Sequence, residues 1–113
     1  MLGVKIQNRN TKKYATKGIN SWNERGKVWS TLRDAKLAIC PKWWRYKCHI
    51  DYNLLNSDFI IVNDDATIEK EPCVNYILDY LNREKVWGYI YPEVFEEIRN
   101  YCKKNNIEIK EDL

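Results

Sequence analysis

Val74, Ile77, Leu78 and Leu81 fall at i, i+3, i+4 and i+7, so they gather on one side of a helix and must be covered by something else in the fold. The pattern returns after Pro92, where Val94, Phe95, Ile98, Tyr101 and Cys102 share a face. Glu93, Glu96 and Glu97 sit toward the start of that segment, Lys103 and Lys104 at its end, and Asn105 or Asn106 closes it. The link Val86 to Tyr91 is short, which predicts an antiparallel helix pair. Pro72 is acceptable in the first turn of the earlier helix.

Elsewhere the period is two. Val4 and Ile6 alternate with Lys5 and Gln7, a polar stretch Asn8 to Lys13 follows, and Tyr14 to Lys17 returns as the second strand of a hairpin. Gly18 to Gly26 reads as a polar loop containing Trp22, with a third strand at Lys27 to Ser30. Thr31 to Asp34 resembles a capping box, and Leu32, Ala35 and Ile39 continue as a helix until Pro41. Phe59 to Val62 reads as a buried strand closed by the turn Asn63-Asp64-Asp65. Arg45 to Ile50 and Thr67 to Lys70 are weaker strand candidates, and Ile107 to Ile109 could add an edge strand. The expected class is α+β: a small antiparallel sheet with one packed helix, plus the C-terminal helix pair. At 113 residues, without a divisive linker or repeat, residues 1–113 form one domain.

A net charge of +3 conceals a division. Residues 1–50 carry twelve Lys/Arg against Glu24 and Asp34, a net of +10, whereas residues 51–113 carry seven against fourteen acids, a net of −7. Such asymmetry orients the surface potential and allows head-to-tail or domain-swapped self-association into a homo-oligomer. No run approaches the roughly 18 apolar residues of a membrane span, and Met1 to Asn10 lacks an apolar signal core. A cytoplasmic protein with no membrane partner is expected. Cys40, Cys48, Cys73 and Cys102 are spaced unlike a secreted disulfide framework and read as reduced thiols.

The single histidine, His49, has no Ser/His/Asp arrangement, Gly-rich phosphate loop or His-Glu metal helix built around it. Cys40, Cys48 and His49 lack a second tight pair at zinc spacing, so buried or surface thiols compete with a zinc site. Asp64, Asp65, Glu69 and Glu71 lack the spaced ligands and glycine of a calcium loop and read as a solvated turn. The chain is therefore read as a binder rather than an enzyme, with no cofactor.

Basic residues interleaved with aromatics carry the stronger signal. Lys12, Lys13, Tyr14 and Lys17 fall on the hairpin, followed by Lys42, Trp43, Trp44, Arg45, Tyr46 and Lys47. Lysine and arginine displace counterions from phosphates and aromatic faces stack on bases, so nucleic acid or a nucleotide is the expected partner. The candidate contacts are Lys12, Lys13, Lys17, Lys42, Trp43, Trp44, Arg45 and Lys47. At least one of Trp43 and Trp44 competes for a place in the core, and surface lysines also serve solubility.

Ile6-Gln7-Asn8-Arg9-Asn10-Thr11-Lys12, Thr16-Lys17-Gly18 and Gly26-Lys27-Val28-Trp29 with Leu32 and Leu37 resemble a pattern in small accessory proteins of bacteriophages and prophages. The resemblance covers about 35 residues of the N-terminal third. Gln7 stands where an Arg is common, and no second Gly follows Gly18, which leaves the turn geometry open. The resemblance implies a phage accessory protein acting in the cytoplasm of a bacterial host cell, a class that includes anti-defence inhibitors, and supplies no catalytic residues. On that reading the partner is a host defence protein, met by aromatics around Trp87, Tyr89 and Tyr91 or by acidic helix faces.

Overall fold

The computed structural model describes residues 2–19, 21–39, 41, 44–84 and 90–110. Five strands, β1 (Gly3–Asn8), β2 (Tyr14–Ala15), β3 (Trp22–Asn23), β4 (Ser57–Val62) and β5 (Ile68–Pro72), form one sheet in the order β3-β2-β1-β4-β5. Every pairing is antiparallel. Among the described residues the helices are α1 (Leu32–Ile39), α2 (Tyr52–Leu55), α3 (Cys73–Glu84) and α4 (Pro92–Lys104), with a 3₁₀ turn at Lys47–His49. The α+β class read from the two periodicities is the class of the fold. None of the helices is long and apolar enough to cross a membrane.

The core lies between one face of this sheet and the helices. Alternation along β1 sends Val4 and Ile6 inward, opposite Ile61 and Phe59 of β4, and all four are buried. They share one apolar cluster with Ala35 and Ile39 of α1, Leu54 and Leu55 of α2, Val74, Ile77, Leu78 and Leu81 of α3, and Val94 and Ile98 of α4. Each fully buried aliphatic side chain stabilises by about 1.5–3 kcal/mol. Cys73 and Cys102 are fully buried, and burial pushes the Cys73 thiol well above its ordinary pKa, so it packs as an apolar group.

Local signals explain the helix ends. The backbone N–H of Asp34 donates to Thr31 Oγ1 at 3.1 Å, while the Asp34 carboxylate accepts from the Ser30 hydroxyl, so the predicted box closes through Ser30. Pro92 opens α4, with Glu93 in its first turn and Lys103 and Lys104 in its last. Asn105 caps it, and Pro72 lies at the end of β5, just before α3.

Three expectations are corrected. The third strand is Trp22–Asn23, not Lys27 to Ser30: Trp22 packs against the core within the supposed polar loop, and the later segment makes a single bridge, Trp29 to Val4. The Asn23 side chain accepts from the N–H groups of Arg25 and Gly26, turning the chain immediately after β3. Arg45 to Ile50 contains the 3₁₀ turn instead of a strand. Ile107 to Ile109 is no strand either. Asn106 adopts φ 56°, Ile107 donates to the Cys102 carbonyl at 2.8 Å and is buried, so the apolar residue expected at a sheet edge closes a helix end.

Two of the positive-φ positions, Gly26 and Ala66, hold that conformation for contrasting reasons. Gly26 has φ 67°, and a Cβ there would lie 2.3 Å from the Tyr14 Cβ, so only glycine fits. Ala66 holds φ 67° in the β4–β5 turn, where Asn63 accepts from its N–H at 2.9 Å. Left-handed backbone costs an L-residue about 1–2 kcal/mol, against the roughly 0.4–1 kcal/mol of unfolded-state freedom that glycine adds. Ala66→Gly is therefore expected to stabilise by about 0.5–1 kcal/mol and Gly26→Ala to destabilise by more than about 1 kcal/mol, read by urea denaturation.

Candidate functional site

The face of the sheet opposite the helices is the first candidate. Side chains facing each other across antiparallel strands share a face, so the registers Gly3↔Val62↔Ile68, Lys5↔Ile60↔Lys70 and Gln7↔Asp58↔Pro72 define three rows pointing away from the core. Ile60 marks the separation: it is buried, yet it stands outside the apolar cluster, flanked in its row by Lys5 and Lys70. Lysine stems cover apolar surface while their ammonium groups stay in water. Tyr14, opposite Gln7, extends this face, and Lys5 Nζ lies 4.5 Å from its ring centroid while donating to the Arg25 carbonyl at 2.8 Å. Val28 closes the outer row by packing over Gly3, where a Cβ would approach its Cγ1 to 2.6 Å.

Alternation along β5 sorts charge between the two faces. Glu69 and Glu71 share the side of Ile61 and Phe59, and Glu71 pairs with Lys36 of α1 at 3.4 Å, whereas Lys70 points the other way. Asp58, the carboxylate in the three open-face rows, is bound by Arg9 through Nε to Oδ2 at 3.2 Å and Nη2 to Oδ1. The paired Asp58 carboxylate holds the Arg9 guanidinium above its usual pKa by hydrogen bonding, against the opposing effect of burial. Basic groups thus dominate this face.

A cleft of about 590 Å³ adjoins the sheet where β1 ends. Asn8 builds one wall: its Oδ1 accepts from the N–H groups of Asn10 at 2.9 Å and Thr11 at 3.1 Å, and its Nδ2 donates to Asn53 Oδ1 at 3.1 Å. Asp51 caps α2 by accepting from the Asn53 N–H at 3.0 Å, and burial raises its carboxyl above the ordinary aspartate value despite that bond. Tyr52 and Tyr101 line the far side with ring centroids 4.7 Å apart, and Asn56 donates to the Tyr101 hydroxyl. Beyond His49 lies a second pair, Tyr46 and Tyr91, stacked at 5.0 Å and each about half exposed.

The residues expected to contact nucleic acid are distributed unevenly over this geometry. Lys12 and Lys13 are exposed in the β1–β2 turn, Lys12 at φ 64°. Lys17 stands in the next turn, past the other end of β2. Arg45 is exposed just before the 3₁₀ turn and Lys47 is exposed at its start, with Lys47 Nζ 3.4 Å from Glu97 Oε2. Trp44 is only 5% exposed and belongs to the core, so its ring offers no free face to a base. Lys42 and Trp43 lie outside the described residues, as do Cys40, Trp87 and Tyr89. Lys70 was missed because a lysine between two glutamates reads as a solvated edge until its register with Ile60 and Lys5 is known.

Among the described residues no group of three His, Cys, Asp or Glu side chains gathers around a common point for a metal ion. The Asp65 carboxyl is held below its usual pKa by hydrogen bonds from Thr67, the arrangement of a turn. No protein-family model matches the chain, nor does any curated protein or solved structure.

Arg9→Gln leaves the nearly buried Asp58 carboxylate without its partner and is expected to lower stability by about 1–3 kcal/mol. Combining it with Asp58→Asn should restore part of the loss, because the unpaired charge has gone. Urea denaturation of both single variants and the double variant measures the coupling. An Arg9→Gln loss that is the same in the parent and in the Asp58→Asn background would mean that the pair contributes nothing.

Proposed function

We propose that this chain is a non-catalytic module that binds nucleic acid, holding a single strand against the helix-free face of its sheet and over the β1–β2 turn. The observation that carries the reading is the sorting of charge across the sheet. Lys5 and Lys70 stand on the open face, Glu69 and Glu71 turn toward the helices, and Asp58 is neutralised by Arg9. A polyanion laid on this face meets ammonium groups without a free carboxylate in the three central rows, and counterion release favours binding. Tyr14 supplies an aromatic ring beside Lys5, and Lys12 and Lys13 extend the basic path around the turn.

A second reading has its own support. The exposed Tyr46–Tyr91 stack, bordered by Lys47 and Glu97, has the aromatic character of a protein-interaction hot spot and suits a phage-type inhibitor of a host defence protein. The two readings use different surfaces, so mutation separates them.

Fluorescence anisotropy with labelled single- and double-stranded oligonucleotides at two salt concentrations tests the first. The variant Lys5→Gln/Lys12→Gln/Lys13→Gln/Lys70→Gln is expected to bind weakly and to flatten the slope of log K against log salt by about 0.7 for each lost contact. Lys103→Gln/Lys104→Gln, on the helical layer, should bind as the parent does. Circular dichroism establishes that both variants fold. Absence of parent binding at low salt, or an equal loss in the α4 variant, would overturn the proposal.

A further inference from the structure

The geometry points to the cleft between the β1–β2 turn and α2 as a pocket for a single nucleobase bearing an exocyclic amino group. This inference rests on the nucleic-acid reading and names the part of the ligand that enters the protein. Its volume of about 590 Å³ lies in the ordinary range for small-ligand sites and accommodates a nucleoside.

The chemistry of the lining selects the occupant. Among the described residues lining the cleft there is no Lys or Arg, His49 being the basic side chain at its edge, whereas Lys12 and Lys13 follow Asn10 and Thr11 immediately outside it. The charged end of a nucleotide therefore belongs at the turn and the uncharged base within. Tyr52, 38% exposed and braced on Tyr101, offers an aromatic wall on which a base can stack. Asn10 and Asn53 offer carboxamides of the kind that pair with base edges, Asn53 having its oxygen engaged by Asn8 and its amino group left to donate. Asp51 adds a carboxylate, an acceptor that matches an amino group on adenine, cytosine or guanine and opposes the carbonyl-rich edge of uracil or thymine. Satisfied bonds fix the walls: Asn8 ties the turn to Asn53, and Asp51 caps the helix that carries Tyr52.

Two arms of one experiment test the assignment on the full chain. In the first, anisotropy compares labelled dA, dC and dT oligonucleotides of equal length and oligonucleotides with abasic positions. The expected order places dA and dC about tenfold tighter than dT, abasic substitution weakens binding by a similar factor, and the salt slope is unchanged. Asp51→Asn keeps the helix cap, since asparagine caps as well as aspartate, and should narrow the preference for amino-bearing bases. Tyr52→Leu should weaken binding of every normal oligonucleotide while leaving the abasic ones unaffected.

In the second arm, adenosine, cytidine and uridine monophosphates and ribose 5-phosphate are titrated against the protein while NMR follows the backbone amides. Shifts confined to residues 8–11, 49–56 and the neighbourhood of Tyr101 with the first two ligands, and absent with ribose 5-phosphate, support the pocket even if no oligonucleotide binds. That combination would identify a free nucleotide as the source of the base and overturn the sheet-face reading alone. Oligonucleotides that bind through Lys5, Lys12, Lys13 and Lys70 with equal affinity for dA, dT and abasic strands would overturn the pocket and leave the sheet face standing. Absence of any binding in both arms overturns both readings.

Discussion

Six consecutive residue pairs, from Gly3↔Val62 to Asn8↔Ser57, tie β1 to β4, and the other parts of the molecule take their places from this ladder. It sets Val4 and Ile6 against Ile61 and Phe59 as the floor of the core, leaving α1, α3 and α4 to bury their stripes on the same side. A one-residue slip would send Lys5 and Gln7 into that core, so the register is held by the cost of burying them. The ladder also brings the β1–β2 turn beside the segment that precedes β4, which is why Asn8 reaches Asn53 and Arg9 reaches Asp58.

Helices were legible where a long period repeated over several turns. The stripes of α3 and α4 need no tertiary information, since spacing alone places Val74, Ile77, Leu78 and Leu81 on one face. Short strands were harder to read. β2 and β3 contain two residues each, too few for alternation to register, and Trp22 is drawn into β3 by the core it covers. The Lys27 to Ser30 reading had the wrong extent: of that segment Trp29 alone bridges to β1. Ile107 and Ile109 carry a strand-like spacing that serves instead to fold the chain back against α3, where Lys110 donates to the Asn75 side chain at 2.9 Å.

The candidate site was legible as composition and not as geometry. Lysines near tyrosines marked the hairpin, but the mixture around Trp44 combined a core anchor with solvent-facing neighbours, and only packing distinguishes them. The cleft could not be read at all from spacing. Asn8, Asp51, Tyr52, Asn53 and Tyr101 come from segments far apart in the chain, and asparagines and tyrosines scattered in sequence carry no motif. Their meaning appears when the β1–β4 pairing closes the distance.

That pairing also imposes a timetable on synthesis. Ile6 must wait for Phe59, and with translation at about 5–20 residues per second the interval is roughly 3–10 seconds. During it β1 and the first hairpin have no inner neighbour, and Val4, Ile6 and Trp29 present apolar surface with an unpaired strand edge. The Lys and Arg concentrated in the same half of the chain give that segment a net charge of +10, and like charge opposes pairing between two such edges until β4 covers them.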